Sequence, residues 1–375
     1  MLRRLATAAV VLLALAPAAQ AATYLRLGFD DDTIKWIVRP DGFVGAQRAL
    51  GAAFTRITIP WRRGEVVPGP LARTYLLRAR LAGNLGQKVV IAVYGRPSQA
   101  PTDALSRAQY CSYVRAAVAR LPSMSAVVIW NEANSPSFWP QGAGAGAAAY
   151  EALLARCYDV LHAYRPTVNV VDSTAAHYDP GGFILGLGAA YRASGRARRI
   201  VDTFGHNPYP DSAAEPPWAI HPGLGTVAEG DYQTLLDALA AAFDGTPQPV
   251  PSALWPRIWY LEDGFQTSFP PFLSRLYTGR ENDPTVLPPV GEGVSQASQL
   301  TAAISLAYCQ PAVSAFFNFK LVDERRLVGW QSGLMYSNGI WKPSFSAYQQ
   351  IAAAVANHTI DCTKVDGAPD FLPPP

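Results

Sequence analysis

Two apolar patterns alternate along the chain. Short, nearly continuous runs rich in β-branched and aromatic residues read as buried strands: Tyr24–Phe29, Phe54–Trp61, Lys88–Tyr94, Ala126–Trp130, Val168–Asp172, Ile200–Phe204, Ile258–Leu261 and Ala315–Phe319. Between them, Ala72–Asn84, Ala104–Leu121, Ala147–Tyr164, Asp231–Phe243, Ser295–Tyr308 and Ser344–Ala356 read as helices. Strand-to-strand connections long enough to hold a helix favour parallel pairing. The alternation therefore predicts the α/β class, as a (β/α)8 TIM barrel. An open doubly wound sheet is the rival. No phosphate-binding glycine loop follows the first strand, and the run from Gly142 to Ala147 matches a dinucleotide fingerprint only by admitting Ala at its end. That run is expected to be a flexible loop on the barrel rim.

The N-terminus carries a different pattern. Arg3 and Arg4 precede an apolar stretch from Leu5 to Pro17, and Ala19-Gln20-Ala21 supplies a small-x-small cleavage site, so residues 1–21 are expected to be a signal peptide. A membrane anchor is the competing reading, but the stretch is shorter than the roughly 20 residues that span a bilayer. The remainder is expected to form one barrel over 22–365, with a disordered Pro-rich tail over 366–375. Hydrophobic residues make up 49% of the chain and charged ones 16%, enough for a large core. With a net charge of +3 and no later Lys/Arg run, neither nucleic acid nor a membrane surface is implied as a partner. The basic cluster Arg192, Arg196, Arg198 and Arg199 reads as a solvated helix end. Export would permit disulfides, and four cysteines allow three pairings. Cys111 and Cys157 fall in successive expected helices, and Cys309 and Cys362 in the last barrel helix and the C-terminal tail, which favours Cys111 with Cys157 and Cys309 with Cys362. Metal binding by the cysteines is disfavoured, since no Cys-x-x-Cys or clustered His spacing occurs.

Chemistry concentrates where strands end. The run Val127-Val128-Ile129-Trp130 leads into Asn131-Glu132, and Ile258-Trp259-Tyr260-Leu261 leads into Glu262-Asp263-Gly264. In a barrel the C-terminal strand ends form one face, so Arg56, Glu132, His206 and Glu262 are expected to line one pocket. Two carboxylates there meet the requirement of glycosidic cleavage: one acid for the leaving oxygen, one carboxylate for the anomeric carbon. Trp61, Phe138, Trp139 and Trp330 are candidate platforms for sugar faces.

Ile129-Trp130-Asn131-Glu132, Gly205-His206-Asn207-Pro208-Tyr209-Pro210 and Trp259-Tyr260-Leu261-Glu262-Asp263-Gly264 resemble the retaining glycoside hydrolases of clan A, the cellulase, mannanase and β-xylosidase group. The closing segment Gly329–Leu334, with Asn338-Gly339 and Lys342-Pro343, is also similar. The resemblance implies that Glu132 is the acid/base, Glu262 the nucleophile, and Asn131 a partner for the sugar 2-hydroxyl. Arg56 would sit beside the nucleophile, Tyr209 would offer it a hydroxyl, and His206 would help bind or orient the substrate. Retention would set the carboxyls ~5 to 5.5 Å apart. Many clan members place a Trp in the eighth strand, whereas this chain reads Phe316-Phe317-Asn318-Phe319-Lys320, so Trp330 would have to supply that platform.

The expected function is a secreted, monomeric, cofactor-free and metal-free retaining β-glycosidase acting on a β-linked carbohydrate. A barrel that binds polysaccharide without cleaving it is the alternative. A serine esterase or zinc protease lacks support, because neither Gly-x-Ser-x-Gly nor His-Glu-x-x-His occurs. Glucan, mannan, xylan and small-aglycone glycosides all stay open as substrates.

Overall fold

A computed structural model describes residues 25–140 and 143–369 of the chain. The expected signal peptide and the last residues of the Pro-rich tail lie outside the described residues. Among the described residues there are nine strands: β1 (Arg26–Asp30), β2 (Phe54–Pro60), β3 (Lys88–Tyr94), β4 (Met124–Ile129), β5 (Asn169–Val171), β6 (Thr174–Ala175), β7 (Thr203–Asn207), β8 (Arg257–Asp263) and β9 (Val313–Phe319). All pair in parallel in the order β5-β4-β3-β2-β1-β9-β8-β7-β6, and Val171 against Thr203 closes the ring. Because β5 and β6 both pair with β7, they form one interrupted stave, which makes a closed barrel of eight.

The helices are α1 (Pro40–Ala49), α2 (Pro70–Asn84), α3 (Ala104–Val118), α4 (Ala143–Tyr164), α5 (Pro180–Ala193), α6 (Tyr232–Phe243), α7 (Gln296–Cys309) and α8 (Phe345–Ala356). Two of them, α1 and α5, have no counterpart among the expected helices. Glycine lowers helix propensity by about 1 kcal/mol relative to Ala, and α5 opens Pro-Gly-Gly and holds two further glycines. Tertiary packing explains one of these. A Cβ on Gly188 would come within 2.4 Å of the Ala242 carbonyl, so glycine lets α5 lie against α6. The run read as a rim loop is instead the first turn of α4 from Ala143 onward. The sixth strand begins later than its apolar run suggests: Ile200 and Val201 precede β7, and their amides are taken by the Gln248 side chain.

Side-chain alternation divides the barrel into two apolar layers. Val89, Ile91, Val93, Val127 and Ile129 face the helices, while Phe54, Val90, Ala92, Ala126, Val128, Leu261, Ala315 and Phe317 fill the barrel. Gly205 sits on the inner side of β7, where a Cβ would meet the Asp172 carbonyl at 2.2 Å. Both favoured disulfides form, Cys111–Cys157 joining α3 to α4 and Cys309–Cys362 tying the segment after α8 to α7. The arginine cluster does more than meet solvent. Arg196 makes a two-pronged bond to Asp159, and Arg192 reaches carbonyls at the end of α6. Among the described residues no helix is long and apolar enough to cross a membrane.

Candidate active site

The turn after β4 departs from regular strand geometry. Trp130 and Glu132 both have left-handed backbone conformations, with φ of 67° and 41°, which are uncommon for residues with a Cβ. Strict alternation would send Trp130 into the barrel with Ala126 and Val128. The turn instead swings its indole out among Trp61, Tyr110 and Trp139, and leaves Asn131 and Glu132 at the cleft. Two phenols satisfy the backbone here. Tyr110 Oη accepts the Trp130 amide at 3.0 Å, and Tyr150 Oη donates to the Ile129 carbonyl at 2.7 Å. Asn134 staples the turn to β6, accepting the Ala175 amide at 2.8 Å and donating to the Ala175 and His177 carbonyls.

A second irregularity serves β8. Ile258 and Tyr260 face the helices and Trp259 and Leu261 the barrel, so unbroken alternation would turn Glu262 outward. The register against β9 shifts between Tyr260 and Asp263, and Glu262 points into the cleft.

Arg56, from β2, lies beneath the cleft and is 1% exposed. Its Nη1 contacts Glu262 Oε1 at 2.6 Å and also Asp30 Oδ2, while Nη2 donates to Asn131 Oδ1 at 2.8 Å. Against the pull of burial, the Asp30 and Glu262 carboxylates hold the guanidinium charged. Burial pushes Asp30 up to about 8, opposed by Arg56 and assisted by Glu262. Burial likewise raises Glu262, with Arg56 opposing and Glu132 adding to the rise. Glu132 is raised by burial, opposed by a bond from Asn207 Nδ2 to its Oε1 at 2.8 Å. The two acids thus differ in their partners: Glu262 touches a cation, Glu132 only a neutral amide.

The cleft has a volume of about 600 Å³. Asp30, Thr58, Tyr94, Asn131, Glu132, Tyr209, Glu262, Phe319 and Trp330 line it. Phe138 stands at its wall, edge-on to Tyr94. Trp330 is 36% exposed, lines the cleft and packs on Phe319, at the end of β9, and on Tyr209. Tyr209 Oη is buried without a hydrogen-bond partner and makes no bond to Glu262.

Three further expected contacts are corrected. Trp61 and Trp139, each 1% exposed, have no face to offer a sugar, because the outward turn at Trp130 gathers both rings into the core. His206 alternates away from the cleft. Its ring bonds Thr174 Oγ1 at 2.8 Å and the Val227 carbonyl at 2.7 Å, and burial lowers it to about 4. Its neighbour Asn207 takes the inward place and reaches Glu132. The Asp30-Asp31-Asp32 run also divides its work: Asp31 accepts the Leu321 and Val322 amides after β9, and Asp32 accepts the Thr58 amide. The parity set by Gly205 would have assigned Asn207 in advance; Asp30 carried no such signal.

No protein-family model matches the sequence, and no curated protein matches it. Solved structures do. A family 39 glycoside hydrolase from the gut symbiont Bacteroides cellulosilyticus WH2 aligns over 90% of this chain and 65% of its own, at 16% identity and a TM-score of 0.60. The GH53 catalytic domain from Ignisphaera aggregans aligns over 90% of this chain and 98% of its own, at 16% identity and a TM-score of 0.56. A GH2 β-galacturonidase from Eisenbergiella tayi, bound to galacturonate, aligns over 87% and 50%, at 13% identity and a TM-score of 0.55. The chain thus spans about two thirds of the first and half of the third. The likeness is one of fold, the eight-stranded parallel barrel that these glycoside hydrolases share.

Proposed function

We propose that this chain is an exported glycoside hydrolase that cleaves β-glycosidic bonds with retention, by double displacement. The observation that carries the reading is the pair Glu132 and Glu262. They stand at the ends of β4 and β8 in one cleft, one held by an amide and the other by a guanidinium. Glu262 attacks the anomeric carbon as the bond to the leaving oxygen breaks, and Glu132 gives its proton to that oxygen. Glu132 then takes a proton from water as the water displaces Glu262. The Arg56 contact supports the nucleophile's charge. It also fixes the Asn131 amide, so that Nδ2 is left to meet a sugar hydroxyl. Trp330 and Phe138 supply apolar faces for the sugar ring. The reaction asks for no cofactor.

The barrel shared with three glycoside hydrolases supports the reaction class without naming the sugar. The cleft's charge narrows it. Besides the catalytic pair, Asp32, Asp283 and Glu324 line the cleft, and Lys320 beside them is paired with Glu324 at 2.9 Å. Such a lining repels a uronate carboxylate and suits neutral sugars. The two disulfides fit the expected export of the chain.

The test is hydrolysis of aryl β-glycosides and β-linked polysaccharides by the purified protein, beside Glu262→Ala with and without azide. Loss of turnover in the variant, with azide restoring it and yielding a glycosyl azide of inverted configuration, is the expected result. Absence of turnover on every substrate, with oligosaccharide binding that the substitution leaves unchanged, would replace this reading by a binding protein.

A further inference from the structure

The loop after β7 gathers three potential metal ligands that the glycosidase reading does not use. Asp211, Glu215 and His221 each bring one ligand atom to a point where all lie within 4.8 Å of one another. His221 is the anchor. Its Nδ1 bonds Asp231 Oδ2 at 2.7 Å and its amide donates to Asp231 Oδ1 at 2.7 Å, while Asp231 also accepts the Ala228 amide at 2.9 Å. Asp231 has a fully buried side chain. A carboxylate holding Nδ1–H leaves Nε2 as the ring atom presented to the cluster, where a metal would take the place of a proton.

That Nε2 is buried and has no hydrogen-bond partner. It faces Glu215 Oε1 at 3.4 Å and Asp211 Oδ2 at 3.7 Å. These gaps are longer than a well-formed hydrogen bond. They lie close to the edges of a tetrahedron about zinc, roughly 3.3 to 3.6 Å for bonds of ~2.0 to 2.2 Å. The loop is also braced from behind. Gln299 on α7 donates to the Ala213 and Glu215 carbonyls at 2.8 and 2.6 Å, and Glu215 Oε2 accepts the Asp211 amide at 2.7 Å, which leaves Oε1 for the cluster.

We propose that Asp211, Glu215 and His221 bind a divalent transition-metal cation, with Asp231 orienting the imidazole and a fourth position open to water. One imidazole with two carboxylates is a donor set for zinc, whereas calcium and magnesium take oxygen alone. The cation's two charges offset the two carboxylates. Its consequence is structural. Asp211 Oδ1 faces His177 Nδ1 at 3.4 Å, and both residues line the cleft, so the cation braces the loops after β6 and β7 at the rim.

The experiment strips the full-length protein with a chelator, dialyses it and titrates it with zinc chloride, following bound metal by elemental analysis and Tm by scanning calorimetry. One zinc per chain and a Tm raised by a few degrees are expected. His221→Ala and Glu215→Gln should each abolish both effects, and Asp231→Asn should weaken binding about 10- to 100-fold. Should these variants fail to fold, the exposed Asp211→Asn carries the same test. Absence of stoichiometric zinc, or zinc binding that the ligand substitutions leave unchanged, would overturn the proposal. Neither readout depends on turnover, so the result stands apart from the glycosidase reading.

Discussion

Arg56 Nη1 lies 2.6 Å from Glu262 Oε1, and the same nitrogen contacts Asp30. Two buried acids therefore compete for one cation. Arg56→Met leaves Glu262 unpaired in the barrel, a loss on the order of 3 to 5 kcal/mol that protonation only partly relieves. The acid limb of the kcat/KM profile, which reports the nucleophile losing its proton, should move to higher pH. Asp30→Asn should do the reverse, because it removes the competing acid and leaves the guanidinium to Glu262. Both profiles can be recorded with an activated aryl glycoside, and parallel shifts would refute the competition.

Asn207 donates to Glu132, and a bond to the ionised form lowers a carboxyl's pKa. Asn207→Ala removes that bond and raises the proton affinity of Glu132. The basic limb, where the general acid loses its proton, should move to higher pH while kcat falls through loss of positioning. A limb that stays put or moves down would show that Asn207 does not act on Glu132.

The tryptophans separate into two classes that kinetics and denaturation can tell apart. Trp330→Ala should raise KM roughly 2- to 12-fold, as loss of ~0.5 to 1.5 kcal/mol of stacking implies, with stability little changed. Trp61→Ala and Trp139→Ala should each cost about 3 to 5 kcal/mol of stability, since both rings are enclosed by other aromatics. Urea unfolding beside Michaelis constants checks both.

The disulfides close loops with sequence separations of 46 and 53 residues. Chain entropy assigns each up to about 4 kcal/mol. Cys309→Ser/Cys362→Ser frees only the segment after α8, so its activity at room temperature should match the parent while its denaturation midpoint falls. An unchanged midpoint would mean the bridge adds no stability.

The barrel was legible because β2, β3, β4 and β9 are apolar runs that no helical spacing mimics, and the Cys111–Cys157 bridge because both cysteines lie on successive helices. The helices α1 and α5 were not, since glycine hides a helix that exists only against its neighbours. In the cleft, Glu132 and Glu262 were readable as strand-end acids. The error over Trp61 and Trp139 arises because sequence shows which residues are near a strand end, but not where the backbone breaks alternation; the error over His206 was one of parity, since β7 alternates regularly from Gly205 to Asn207. The left-handed turn at Trp130 and the shifted register of β8 are tertiary facts. Asp211, Glu215 and His221 went unread as a group because their spacing matches no familiar metal motif, and only the folded loop brings them together.

The two-residue alternation of the staves has a bearing on how readily this scaffold could change its diet. Positions 58, 94, 175 and 319 face the cleft while carrying neither carboxylate of the catalytic pair, and Ile57, Ile59 and Val93, beside the first two, pack toward the helices. A mutational library confined to those four sites would explore new specificities with little disturbance to the helix-facing layer. Selection could move among sugars by small steps without dismantling the barrel.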